Sequence, residues 1–144
     1  MKNIWTEHWG GDFVVTRRRS FHVSDVDGFI AEQGQKKVGL ITYEILQNEV
    51  EITSINSLSE NKGIGTSLVS KVVKLAHTSL LKRVVLVTTN DNINALRFWQ
   101  KRGFRLVRVS PGAMAETRKQ KPCIPLLGEN GIPIQDEIEL EMVL

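Results

Sequence analysis

Residues Ser57–Leu68 read SLSENKGIGTSL, and the texture of the chain changes across them. Before the joint, EVEITSINSL (Glu49–Leu58) alternates apolar and polar residues, the two-residue period of a half-buried strand. After it, Leu68, Val69, Val72, Val73, Leu75, Ala76 and Leu80 fall at helical spacings, with Lys71, Lys74 and Thr78 on the other side. The joint itself is bare: Gly63 and Gly65 flank Ile64, Lys62 precedes them, and Thr66 and Ser67 follow. A glycine-rich strand-to-helix joint aims backbone N–H groups ahead of the helix and favours an anion there. Taken alone, a Gly-x-Gly is better explained by a tight turn.

Working outward, Asp12–Phe21, Gly28–Gln33, Val38–Ile45 and Glu49–Leu58 read as strands, the last three joined by short turns and therefore antiparallel. Arg83–Thr89 (RVVLVTT) is a nearly continuous run of β-branched residues, the pattern of a buried central strand. NDN (Asn90–Asn92) is an Asx-rich helix start, INALRFWQKR (Ile93–Arg102) a short helix, and Gly103 its stop. Phe104–Val109 and Asp136–Leu144 complete the strands. The expected architecture is α+β: a mixed, mainly antiparallel sheet flanked by helices, with one parallel crossover. Between the last two strands, Ser110–Pro133 is long and broken by Pro122, Pro125, Gly128, Gly131 and Pro133; AMAETRKQ within it has one or two helical turns. A segment of that length inside a domain is usually functional or mobile.

The chain has 144 residues, the size of one domain spanning 1–144. No apolar run could span a bilayer and MKNIWTEHWGGD has no apolar leader core, so no membrane partner and a cytoplasmic setting are expected. With Cys123 as the one cysteine there is no internal disulfide, and no Cys or His pair stands at metal-ligand spacing, so no metal is expected. The net charge of +3 is unevenly spread: Lys101, Arg102, Arg105, Arg108, Arg118, Lys119 and Lys121 are opposed only by Glu116. Such an excess serves phosphates, an acidic substrate or nucleic acid, or is a solvated face.

Two phosphate motifs fail at the joint. A P-loop needs Lys and Ser/Thr after its last glycine, whereas here Lys62 precedes both glycines. A dinucleotide fingerprint needs a third glycine where Leu68 stands, in a doubly wound fold that the hairpins contradict. What remains is Lys-Gly-x-Gly-Thr at a strand-to-helix joint, followed one strand later by NINALRFWQKRGF (Asn92–Phe104). Together these resemble the GNAT superfamily of acetyl-CoA-dependent N-acetyltransferases, in the manner of a small bacterial member. The family's Gln/Arg-x-x-Gly-x-Gly/Ala segment corresponds to Glu60-Asn61-Lys62-Gly63-Ile64-Gly65. Its Asn-x-x-Ala…Tyr-x-Lys-x-Gly-Phe helix is read through Asn94, Ala95, Phe98, Trp99, Lys101, Gly103 and Phe104.

The resemblance implies acetyl transfer from acetyl-CoA to a primary amine by direct attack, the acceptor being a small molecule or a peptide and a homodimer being possible. It places the CoA pyrophosphate on Lys62, Gly63, Ile64, Gly65, Thr66 and Ser67, with Lys101 at the outer phosphates. The thioester falls beside Ile55 and Ser57, the pantetheine against Asn94 and Phe98, and the general base at Glu51, with Glu49 as its competitor. Three features depart from the pattern. Glu60 replaces Gln or Arg, Trp99 replaces a Tyr that protonates the departing thiolate, and the two helices usual after the first strand are shortened or absent. An indole N–H donates a hydrogen bond but is no usable acid. Ser110–Pro133 is then the material left for an acceptor wall. Tyr43 is assigned to sheet packing, and Arg118, Lys119 and Lys121 to an exposed face, a loop clamp or an acidic acceptor. The alternatives are an acetyl-CoA-binding module without turnover, suggested by Trp99, and a nucleic-acid binder, suggested by Lys101–Lys121 but lacking the aromatics of a stacking platform.

Overall fold

A computed structural model describes residues 13–15, 20–22, 27–57 and 63–144. Its elements run β1 (Phe13–Val15), β2 (Ser20–His22), β3 (Asp27–Gln33), β4 (Lys36–Leu46), β5 (Glu49–Ser57), α1 (Ile64–Thr78), β6 (Arg83–Thr89), α2 (Ile93–Lys101), β7 (Arg105–Ser110), α3 (Ala113–Gln120) and β8 (Glu137–Val143), with a single 3-10 turn at Glu129–Gly131 among the described residues. Six strands form one sheet in the order β3-β4-β5-β6-β8-β7, and β1 pairs with β2 separately. β3 with β4, β4 with β5, and β7 with β8 are antiparallel, whereas β5 and β6 are parallel. This is the mixed, mainly antiparallel sheet flanked by helices that the pattern implies, and among the described residues no helix precedes Ile64.

One expectation is corrected. Asp12–Phe21 reads as a single strand, but Phe13–Val15 and Ser20–His22 are two short strands that face each other, with Phe13 opposite His22 and Val15 opposite Ser20. Alternation is a local signal, and it does not show where a chain doubles back.

The fold divides into two compact units. The first holds β3, β4, β5, α1, the start of β6 through Leu86, and Met142–Leu144. Its core is built by Val38, Leu40 and Ile41 of β4, Val50 and Ile52 of β5, Val84–Leu86 of β6, and Leu68, Val69, Val72 and Ala76 of α1. Those four helix positions form one stripe at helical spacing. α1 starts close against β4: a Cβ placed on Gly39 would lie 2.8 Å from Ile64 Cγ2 and 3.2 Å from Leu68 Cδ1. Any larger residue there would push the helix start away from the strand. The crossover ends with the Leu81 N–H on the Ala76 C=O at 2.9 Å, and the Lys82 N–H then donates to the Asn48 C=O at 2.7 Å, seating the start of β6.

The second unit holds β1, β2, Val87–Glu141 and hence α2, α3, β7 and most of β8. Trp99 is its aromatic centre, 4% exposed, edge-on to Phe98 at 5.0 Å and to Phe104 at 5.1 Å between centroids. β7 ends the strand order, and Arg105–Val109 are all exposed. Arg105 is tied to Glu141 of β8 at 2.8 Å.

Candidate active site

The first unit carries the joint. Gly63 is the N-cap of α1 at φ 72°, ψ 7°, with no side-chain capping bond, and no acidic residue lies in the first turn. That backbone conformation is left-handed, which explains the glycine, since a Cβ there would meet nothing within 4 Å and the constraint is purely conformational. The first helical bond runs from the Ser67 N–H to the Gly63 C=O at 3.0 Å. Helix geometry therefore directs the N–H groups of Ile64, Gly65 and Thr66 beyond the helix start, at the positive end of the dipole. Lys62 and Glu60 lie outside the described residues.

β5 leads into this joint and continues beyond its paired stretch with β6. The β5–β6 register runs from Glu49 opposite Arg83 to Ile52 opposite Leu86, whereas β5 continues to Ser57. The change coincides with an irregularity on the other side of β5. Thr42 of β4 pairs with Ser54 and Tyr43 with Ile52, so Thr53 is an extra residue, a β-bulge. The bulge is pinned by hydroxyls: Thr42 Oγ1 lies 2.7 Å from both Thr53 Oγ1 and Ser54 Oγ.

The bulge also shifts the phase of the strand. Counting by twos puts Glu51, Ile55 and Ser57 on one face. In the structure Ile55 and Ser57 pair with Ile41 and Gly39, on the face that receives α1, while Glu51 pairs with Glu44 on the opposite face. Glu51 is 2% exposed, between Glu44 of β4 and Val85 of β6. Glu49, the competing carboxylate, accepts from Arg83 Nε at 3.2 Å and Nη2 at 3.0 Å and is engaged in that ion pair. Tyr43 stacks on Phe29 at 5.5 Å, and burial, with a smaller push from the charge of Asp27, raises its phenol above the ordinary tyrosine range. This fits the packing role assigned to it.

The second unit carries the other motif. Asn92 is the N-cap of α2, its side-chain oxygen accepting from the Ala95 N–H at 3.2 Å. Counted back from Ala95, the Asn-x-x-Ala spacing arrives at Asn92 rather than at Asn94. Asn94 is exposed in the first turn and caps nothing, and it shares a helix face with half-buried Phe98 and exposed Lys101. Arg97, three residues after Asn94 on that face, is exposed as well, a cation that the motif does not mark. The Arg102 guanidinium sits 5.2 Å above the Phe98 ring. Gly103, at φ 99°, ends the helix.

The Ser110–Pro133 segment is held by its own side chains. Arg118 donates to the carbonyls of Ile124 at 3.4 Å, Pro125 at 2.8 Å and Ile134 at 2.6 Å, so of the roles open to it the clamp is the one it plays. Lys119 pairs with Glu116 at 3.0 Å on the surface, and Lys121 is buried. The Gly112 N–H reaches Asp136 Oδ1 at 2.8 Å. Cys123 is exposed. Among the described residues no group of His, Cys, Asp and Glu is placed to hold a metal ion, and no helix is long and apolar enough to cross a membrane.

A family model described as "Acetyltransferase (GNAT) family" matches residues 2–104. The Bacillus subtilis protein YxbD is 44% identical over 138 residues, covering 95% of this chain and 87% of its own. An IAA acetyltransferase from Bacillus cereus superposes with a TM-score of 0.73 at 26% identity, over 85% of this chain and 80% of that one. A GNAT family acetyltransferase from Elizabethkingia anophelis, solved with acetyl-CoA bound, does so with a TM-score of 0.73 at 25% identity, over 85% and 78%. With a family model over most of its length and these relatives, the chain belongs to the GNAT family of acetyltransferases and is an acyltransferase.

Proposed function

We propose that this acyltransferase moves the acetyl group of acetyl-CoA onto a primary amine, of a small molecule or a peptide, by direct attack, and that residues 1–144 act as one catalytic domain in the cytoplasm. The observation that carries the reading is a helix start without side-chain cap or acidic residue, placed just after a strand that continues beyond its parallel pairing. Acetyl-CoA supplies the activated thioester. In this reading the amides of Gly63, Ile64, Gly65 and Thr66, with Lys62 and the Ser67 hydroxyl, hold the pyrophosphate, the Ser67 amide being taken by the Gly63 C=O, and the backbone around Ile55 and Ser57 pairs with the pantetheine. Asn94, Phe98 and Lys101 of α2 add contacts along the ligand.

Glu51 takes the proton from the attacking amine. Because it is 2% exposed and faces away from Ile55, that transfer runs through water rather than by direct contact. Trp99 is buried between Phe98 and Phe104 and has no acidic proton to give, so the departing thiolate is protonated by solvent. The same residue favours a second reading, an acetyl-CoA binder without turnover.

Calorimetry with acetyl-CoA and a thiol-release assay over a panel of amines separate the two. Binding together with amine-dependent thiol release is expected, and Glu51→Gln should lower that release by roughly 10²-fold or more with binding retained. Binding without release over the whole panel would favour the binder. Absence of binding would sink both.

A further inference from the structure

We infer that Asn90 is a positioning residue, fixing the turn from which α2 starts to the segment beyond α3, so that this segment sets where the first turn of α2 lies. The inference rests on the reading of α2 as a contact of acetyl-CoA. Asn90 stands between β6 and Asn92, the cap of α2. Its backbone N–H donates to the Asp136 C=O at 3.1 Å. Its side-chain Oδ1 accepts from the N–H groups of Gln135 at 3.0 Å and Asp136 at 2.9 Å, and its Nδ2 donates to the Pro133 C=O at 2.9 Å. An Asn side chain has about four hydrogen-bonding positions, and three are committed to one stretch of backbone.

The next residue is held from the same side. Asp91 is 7% exposed and its Oδ1 accepts from the Thr89 hydroxyl at 2.6 Å. Its other oxygen lies against Gly128, where an added Cβ would overlap Oδ2 and stand 2.6 Å from the carboxyl carbon. Gly128 is presented by a tight hairpin, its N–H on the Ile132 C=O at 2.8 Å, the Ile134 N–H on the Leu126 C=O at 2.9 Å, and Leu127 bridged to Pro133. The turn that delivers Asn92 is thus fastened by residues more than thirty positions away in the chain. Groups that bind a ligand are only as well placed as the groups supporting them, and small displacements cost affinity.

A fastening that merely stabilises the fold would make the same bonds, so the test needs a control. Arg118 secures the same segment through Ile124, Pro125 and Ile134 and makes no described bond to the turn at Asn90–Asn92. Acetyl-CoA affinity is measured by calorimetry for the wild type, Asn90→Ala, Asn90→Asp and Arg118→Ala, with hydrogen exchange over Leu126–Asp136 and the start of α2. Asn90→Ala should bind about tenfold more weakly. Asn90→Asp, which keeps both accepted bonds and loses the donated one, should fall between it and the wild type, which keeps the test open should the alanine variant not fold. Arg118→Ala should lose protection in its own segment with affinity unchanged. Wild-type affinity in both Asn90 variants, or equal weakening by Asn90→Ala and Arg118→Ala, would overturn the inference. A wild type that does not bind acetyl-CoA would overturn the acetyl-CoA reading itself, and this inference with it.

Discussion

α1 and α2 each follow a strand of the parallel pair, β5 and β6, yet they begin in opposite ways. α2 opens with a side chain folded over its first turn, Asn92 on the Ala95 N–H, after a residue stapled to distant backbone. α1 opens on Gly63 with no side-chain cap. Both helix starts face the same problem, since the first N–H groups of any helix lack intrahelical partners. A helix whose start is capped from within is complete by itself, whereas one started by glycines offers its amides and its dipole to something else. The difference accords with the proposed reading, in which α1 receives the phosphates, and with the proposed fastening of the α2 start.

The largest effect should come from closing the open end. Gly65→Asp puts a carboxylate in the first turn of α1, where the helix dipole favours it by about 0.3–1 kcal/mol. The variant should therefore melt no lower than the wild type. Against a pyrophosphate the same charge costs roughly 1–4 kcal/mol at 4 Å, so the thermal shift with acetyl-CoA should largely vanish. A wild-type shift in this variant would remove α1 from the binding site.

A smaller effect is expected at the capped end. Asn92→Ala removes the bond to Ala95 and should cost about 1 kcal/mol of stability, read as a lower melting temperature. If stability is unchanged, the contrast between the two helix starts loses its energetic basis. Smallest of all, Asn94→Ala should leave the melting temperature alone, because its exposed side chain caps nothing, and should weaken acetyl-CoA modestly. Unchanged affinity would confine the role of α2 to Phe98 and Lys101.

Most of the fold was legible because the period changes sharply. Alternation through Glu49–Ser57 gives way to helical spacing from Ile64, and the β-branched run Arg83–Thr89 identifies itself. Gly103 and the Asx cluster bracketed α2 correctly. What stayed hidden depended on distant partners. That Arg118 would spend its guanidinium on three carbonyls, and that Asn90 would fasten Pro133–Asp136, follows from tertiary proximity that no local pattern records. The burial of Glu51 on the far face was hidden for a different reason. Period-two counting fails across an inserted residue, and Thr53 carries no mark in the sequence that distinguishes it from any other strand threonine.

That one inserted residue has a further consequence. A regular strand has two sides and assigns odd positions to one and even positions to the other, so a carboxylate at 51 would be bound to travel with positions 55 and 57. With Thr53 extra, the odd positions change sides midway: 49 and 51 lie on one face of the sheet, 55 and 57 on the other. In the proposed reading, two demands of a transfer reaction, a base sheltered in packing and a length of main chain that pairs with a guest, are then met by nine consecutive residues. Deleting Thr53 would remove the bulge and keep this arrangement, since Ile52 opposite Tyr43 and Ser54 opposite Thr42 would then be consecutive pairs of a regular strand.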